Sequence, residues 1–168
     1  MAQARTYITK ADRLLLSMEE ARRALGPGVS LHDTSRDDPL PGVGSVLRSA
    51  AVDSAYRRFS GRLSRDGSDS ALAVGAMALV FDAPEKAAHT FAQVARAAHL
   101  STDVDGSHVA VETVTGPTGL VSYWGFLHRR QAIVIVTLDT VDPQHVSIAD
   151  LRSLVSRIAV RLQRADRP

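Results

Sequence analysis

The sequence predicts an α+β domain: a mainly antiparallel sheet of about five strands covered by three helices. Three observations lead there. Short turns join consecutive apolar and β-branched segments, which favours antiparallel pairing. Capping signals open three segments with helical spacing of apolar residues. One segment, Ala71 to Phe81, is a nearly unbroken apolar run, as expected of a central strand covered on both faces.

Ser17-Met18-Glu19-Glu20 announces the first helix, because serine three residues before glutamate lets each side chain satisfy an exposed backbone N–H. That helix runs from Met18 to about Leu25 and stops at Gly26-Pro27, with Leu14, Leu15 and Leu16 packed beneath it. From 28 to 53 the chain is rich in Gly, Pro, Ser and Asp and reads as a long loop of the kind that often carries function. Ala55 to Leu63 alternates weakly, and Arg65-Asp66-Gly67-Ser68-Asp69 turns it into the apolar run, Asp-Gly being suited to positive φ. Asp82-Ala83-Pro84-Glu85 opens a second helix with the buried stripe Ala87, Phe91, Val94, Ala95 and Ala98. Val109 to Thr115 reads as a strand ending in the turn Gly116-Pro117-Thr118-Gly119. Leu120 to Leu127 and Ala132 to Leu138 form the clearest hairpin, expected near the middle of the sheet. Ser147-Ile148-Ala149-Asp150 then starts a helix whose stripe is Ile148, Leu151, Val155, Ile158 and Leu162.

At 168 residues the chain suits a single domain, 1–168, able to bury its own core. Cysteine is absent, which removes disulfides, thiolate catalysis and Cys-ligated metal sites. The formal charge is only +2, so the clustered basic face of a nucleic-acid binder is not expected. All bases but Lys10 and Lys86 are arginine, which fits the codon usage of a GC-rich genome. No apolar run approaches the roughly 20 residues of a membrane span. Met1 to Arg13 has no apolar core of a secretory signal, so the chain is expected to be cytoplasmic or, if an export segment has been removed, extracytoplasmic.

The chain carries no catalytic, metal-binding or nucleotide-binding motif, and no cofactor is expected. His32-Asp33 and Asp142 with His145 are the two histidine–acid neighbours, but adjacent loop residues tend to point apart. His89 and His99 are too far apart to meet on one helix, and His108 could approach other histidines only through the tertiary fold. The carboxylate pairs Asp37-Asp38 and Asp103/Asp105 lie in polar stretches, where they stay ionised and solvate the chain. Alternation puts Ser122, Trp124, Phe126 and His128 on one face of their strand, and Val121, Tyr123, Gly125 and Leu127 on the other. Trp124 is then either a floor for a ligand or ordinary core. Tyr56-Arg57-Arg58 places one basic group on each face, either for gripping an anionic group or as an edge-strand charge. The candidate ligand-binding residues are Arg57, Arg58, Tyr123, Trp124, His128 and His32, in a cleft between the 28–53 stretch and the aromatic hairpin; only one residue of each neighbouring pair can face it.

Leu14-Leu15-Leu16-Ser17 with its short helix ending in Gly26 resembles the opening of the extracellular sensor domains of actinobacterial serine/threonine kinases. Val80-Phe81 followed by Asp82-Ala83-Pro84-Glu85-Lys86-Ala87-Ala88, and the Arg129-Arg130-Gln131 turn before the last strand and helix, are similar to actinobacterial PsbP-like lipoproteins of the LpqN type. Together these stretches cover about half the chain. The resemblance implies a PsbP-like sandwich in the cell envelope, with a cleft that takes a small molecule or a protein partner and no catalytic motif. The leading expectation is therefore a non-catalytic, sensor-like binding module. The alternative is a small cofactor-free enzyme, such as an isomerase, cyclase or hydrolase, working in an apolar pocket.

Overall fold

Ser17 caps the first helix as its spacing predicts: its hydroxyl accepts from the Glu20 backbone N–H at 3.2 Å, and its own N–H donates to the Glu20 carboxylate at 2.8 Å. This is helix α1, Met18–Leu25. It follows a 3-10 turn, Ala11–Leu14, and Leu14, Leu15 and Leu16 are all buried. These details come from a computed structural model that describes residues 10–35, 43–97, 100–104 and 107–165. Helix α2 is Val43–Ala50, α3 is Pro84–Ala97 and α4 is Ile148–Ala165.

The strands are β1 (Val29–Asp33), β2 (Asp53–Arg65), β3 (Ser68–Val80), β4 (Leu100–Val104), β5 (Ser107–Thr115), β6 (Val121–Arg129) and β7 (Ala132–Thr140). They form one seven-stranded sheet in the order β1-β2-β3-β7-β6-β5-β4. Every neighbouring pair is antiparallel. Two meanders, β1-β2-β3 and β4-β5-β6-β7, join where β3 meets β7. Those two strands are the most apolar in the chain, and each is buried over most of its length. At the β2–β3 turn Asp66 and Gly67 both take positive φ, 52° and 78°, as the Asp-Gly pair predicts.

The α+β class and the antiparallel sheet agree with the sequence, and the β6–β7 hairpin lies near the middle. The structure adds two strands and a helix to the expected count. Both β1 and α2 fall inside the 28–53 stretch that composition presents as a loop. Val29 and Leu31 alternate with Ser30 and His32 in β1, but the strand is only five residues long and Leu31 is its one buried side chain, so it gains little from packing. It is held by pairing instead, lying so close to β2 that a Cβ on Gly61 would sit 1.8 Å from the Ser30 carbonyl oxygen. Helix α2 contributes Leu47, which packs against the second core.

One face of the sheet carries Leu31, Phe59, Leu63, Val74, Ala76, Ala78, Tyr123, Leu127, Val134 and Val136 beneath α1 and α4. Helix α4 reaches β6 at Gly125, where a Cβ would come within 2.6 Å of Val155 Cγ2; the missing side chain is what lets the helix lie flat. Arg65, at the end of β2, ties this face shut. It donates to the Leu25 and His145 carbonyls, each at 3.0 Å, and to the nearly buried Asp150 carboxylate at 2.9 and 3.2 Å. Those bonds join the end of α1 to the start of α4 and satisfy a charge that burial would otherwise penalise.

The opposite face holds a second, smaller core: Met77, Leu79, Phe81, Phe126, Ile133 and Ile135 pack with Ala87 and Phe91 of α3 and with Leu47. It covers only one end of the strands.

Candidate functional site

On the second face, β3 changes character halfway. Met77, Leu79 and Phe81 are large, whereas Ala71, Ala73 and Gly75, on the same side at the other end, are small. Strand β7 changes with it, from Ile133 and Ile135 to Thr137 and Asp139. Side chains two residues apart share a face, so the surface steps down from a packed apolar half to a shallow half. In that shallow half Arg58, Ala71, Leu72, Ala73, Leu120, Asp139, Thr140 and Val141 line a trough of about 160 Å³. Leu120 and Val141 are exposed at its rim, at 39% and 61%. Arg58 Nη2 lies 3.9 Å from the Asp139 carboxylate, both side chains being largely covered.

The segment that follows β1 borders the same region. Thr34 N–H donates to the Arg58 carbonyl at 2.8 Å, the Thr34 and Ser60 hydroxyls are 2.9 Å apart, and the Ser35 hydroxyl accepts from Arg58 N–H at 3.2 Å. Ser35 in turn donates to Asp33 through its N–H and hydroxyl, which lowers the Asp33 pKa. Thr34 and Ser35 are thus anchored beside Arg58.

A single cross-strand row links two of the expected site residues. Arg58 pairs with Gly75, Gly75 with Thr137, and Thr137 with Trp124. Trp124 Nε1 and Thr137 Oγ1 are both buried without a hydrogen-bond partner among the described residues. Orphaned polar atoms of this kind are uncommon in a well-packed interior. Trp124 is half-buried, tilted against Phe126 with ring centroids 6.0 Å apart, and packed at the edge of the second core.

The six expected residues divide between the two faces. Arg58, Trp124, His128 and His32 share the second face, and Arg57 and Tyr123 lie on the other. Arg57 donates to the Leu16 carbonyl at 3.2 Å. Tyr123 is buried, and that burial, with the nearby Asp150 charge, raises its pKa. His128 stacks on Phe91 at 5.2 Å and its Nε2 lies 2.9 Å from the Arg130 carbonyl, so it braces α3 and the β6–β7 turn. His32 is exposed on the edge strand β1, four strands away from Trp124 in the sheet order. Only Arg58 of the six lines the trough.

Asp139, Ala73 and Leu120 were not singled out by sequence reasoning. The signal was present in β3: sorting its residues by twos separates Ala71, Ala73 and Gly75 from Met77 and Leu79. The other histidine–acid pair also departs from expectation. Asp142 and His145 do meet, with Nδ1 2.9 Å from the carboxylate, because the turn after β7 brings residues three apart together. The buried Ser70 hydroxyl donates to the same carboxylate at 2.6 Å; that bond and the His145 contact lower the Asp142 pKa. Here serine binds the acid instead of the imidazole, so the arrangement anchors the β7–α4 connection and is not a nucleophile triad.

A second concavity of about 310 Å³ lies between the end of α2 and the start of α3, lined by Ala50, Phe81, Glu85, Lys86, His89 and Thr90. Among the described residues no group of three or more His, Asp or Glu side chains could hold a metal ion, and no helix is long and apolar enough to cross a membrane. Asp37, Asp38, Ala98, His99 and Asp105 lie outside the described residues.

The fold and the trough define a class of protein: an α+β domain with one antiparallel sheet, closed by helices on one face and half-open on the other. No protein-family model and no curated protein matches the sequence. Among solved structures, the extracellular domain of PknH from Mycobacterium tuberculosis is similar with a TM-score of 0.54. The likeness covers 94% of this chain and 98% of that one at 11% identity. At that identity the two share a fold.

Proposed function

We propose that this chain is a non-catalytic, extracytoplasmic binding module of the sensor type, and that its site is the shallow half of the second face. The observation that carries this reading is the step from large to small side chains along β3 and β7, which leaves a trough instead of a core. Arg58 and Asp139 supply charge at its wall, Leu120 and Val141 an apolar rim, and Trp124 adjoins it along the cross-strand row. The shared fold with an extracellular domain supports the compartment and the sensor role. The likeness to PsbP-like, LpqN-type lipoproteins rests on sequence pattern alone.

The ionisable pair in the trough favours a binder over an enzyme. A guanidinium stays protonated at neutral pH, which leaves the Asp139 carboxylate as the one group of the pair able to exchange a proton and the trough without the acid–base couple a catalyst would use. The trough is also smaller than the roughly 300–1,000 Å³ of common small-molecule pockets. It suits a small polar ligand or one side chain of a protein partner. The test is a screen of small carboxylates and short peptides followed by backbone amide signals. Shifts should concentrate at Ala73, Gly75, Thr137 and Asp139 and disappear in Arg58→Gln. Shifts confined to the α2–α3 concavity, or unchanged in Arg58→Gln, would overturn this placement.

A further inference from the structure

A cluster of arginines lies on the other side of the sheet. Helix α4 carries Arg152, Arg157, Arg161 and Arg164, and its one acid, Asp150, is consumed by Arg65. Arg157, Val160, Arg161 and Arg164 follow i, i+3, i+4, i+7 spacing, so they form one stripe. With Glu20 from α1 they enclose a concavity of about 160 Å³.

The floor of this concavity is fixed. Arg161 donates to the Leu15 and Arg13 carbonyls and to the Glu20 carboxylate, so its fork is already used. Burial raises the Glu20 pKa, but hydrogen bonds from Ser17 and Arg161 more than offset this and the net pKa is lowered, keeping the carboxylate ionised at neutral pH. Arg157 and Arg164 have no such partner among the described residues. Among the described residues that line the hollow, three guanidinium charges stand against one carboxylate, an excess of two positive charges.

Helix electrostatics explain only part of this. A cation near a helix C-terminus is favourable, but the effect fades within the last turn. That accounts for Arg164, close to the end at Ala165, and not for Arg157, which lies about two turns earlier. Over seven residues the helix rises about 10.5 Å, a span that two arginine side chains can close from either end.

We propose that this concavity binds the phosphate of a phosphomonoester between the forks of Arg157 and Arg164. A dianion matches the two uncompensated charges, and a tetrahedral oxyanion presents enough oxygens for two bidentate forks, whereas a flat carboxylate occupies one. Val160 supplies an apolar surface for the ester carbon. The site is separate from the sheet trough, and either can stand without the other.

The experiment titrates the protein with inorganic phosphate against chloride at equal ionic strength, following thermal unfolding and the Val160 and Arg161 amide signals. Phosphate should raise the melting temperature and shift those signals. The double variant Arg157→Gln/Arg164→Gln should lose about tenfold or more in affinity, while Arg152→Gln, on the same helix outside the hollow, should bind as the parent does. Vesicles of phosphatidylcholine with and without phosphatidic acid identify the source. Sedimentation with phosphatidic acid that the double variant abolishes assigns a lipid headgroup; phosphate binding without sedimentation assigns a soluble phosphomonoester. A response equal to that of chloride, retained by the double variant, or lost equally in Arg152→Gln, would overturn the site.

Discussion

Beneath α1 and α4, strand β3 presents Leu72, Val74, Ala76, Ala78 and Val80, all buried; on its reverse side it presents Ala71, Ala73, Gly75, Met77 and Leu79, buried only from Ala73 onward. The same strand therefore serves two surfaces built on different rules. The first is covered from end to end, by apolar packing at its centre and by the Arg65 hydrogen bonds at its margin. The second is packed where α3 covers it and shallow where it does not. The comparison teaches that stability and recognition are separated here by face as well as by residue type. A fully closed face tolerates little change, while a half-covered one can change its small and polar residues with little effect on folding.

The closed face should show the largest effects. Leu151 and Ile158 are fully buried, so Leu151→Ala or Ile158→Ala should each cost about 2–5 kcal/mol in urea unfolding. A midpoint equal to that of the parent would mean that α4 does not close this face in solution. Next comes the polar margin. Arg65→Met keeps the aliphatic stem but leaves Asp150 without its main partner, at a cost of about 1–3 kcal/mol. If Arg65→Met and Asp150→Asn together cost no less than the sum of the single changes, the pair does not act as a unit.

Smaller effects belong to the second face. Thr137→Val replaces a buried hydroxyl that has no partner among the described residues by a methyl of similar volume, and should stabilise the fold by up to about 1 kcal/mol. Destabilisation would show that the hydroxyl is hydrogen-bonded in solution, by water or by a bound molecule. The smallest expected effect is a pH dependence of the α1–α4 contact. The Glu20 pKa is lowered from 4.5 in the fold, so the unfolded chain binds more protons in the acid range. Its contribution is present above about pH 4.5 and lost as pH falls through the lower, folded value. Denaturant midpoints between neutral pH and pH 3 should fall less steeply in Arg161→Gln than in the parent. An identical slope would remove this ion pair from the acid response.

Much of the closed face could be read directly. The Ser17–Glu20 capping box, the Asp66-Gly67 turn, the β6–β7 hairpin and the α4 stripe are local patterns, each set by residues within a few positions of one another. The half-open face was legible only in part. Alternation placed Trp124 with His128, and Arg57 opposite Arg58, but it could not say which side of the sheet α3 would cover. Strand β1 was hidden because it is only five residues long with Leu31 its one buried side chain; α2 does carry Val43, Val46, Leu47 and Ala50 at helical spacing, but over only eight residues inside a stretch whose Gly, Pro, Ser and Asp content reads as loop.

Sequence by itself thus determined the class, the antiparallel pairing of consecutive strands and the inner stripe of each long helix, because capping, turn chemistry and periodicity are short-range. Tertiary structure decided the rest: that β7 docks beside β3, that Arg58, Gly75, Thr137 and Trp124 form one row, and that Arg65 reaches Asp150. Arg65 and Asp150 are 85 residues apart, and their meeting depends on the entire sheet being assembled. Such contacts are selected by the packing of whole faces, and no local spacing encodes them.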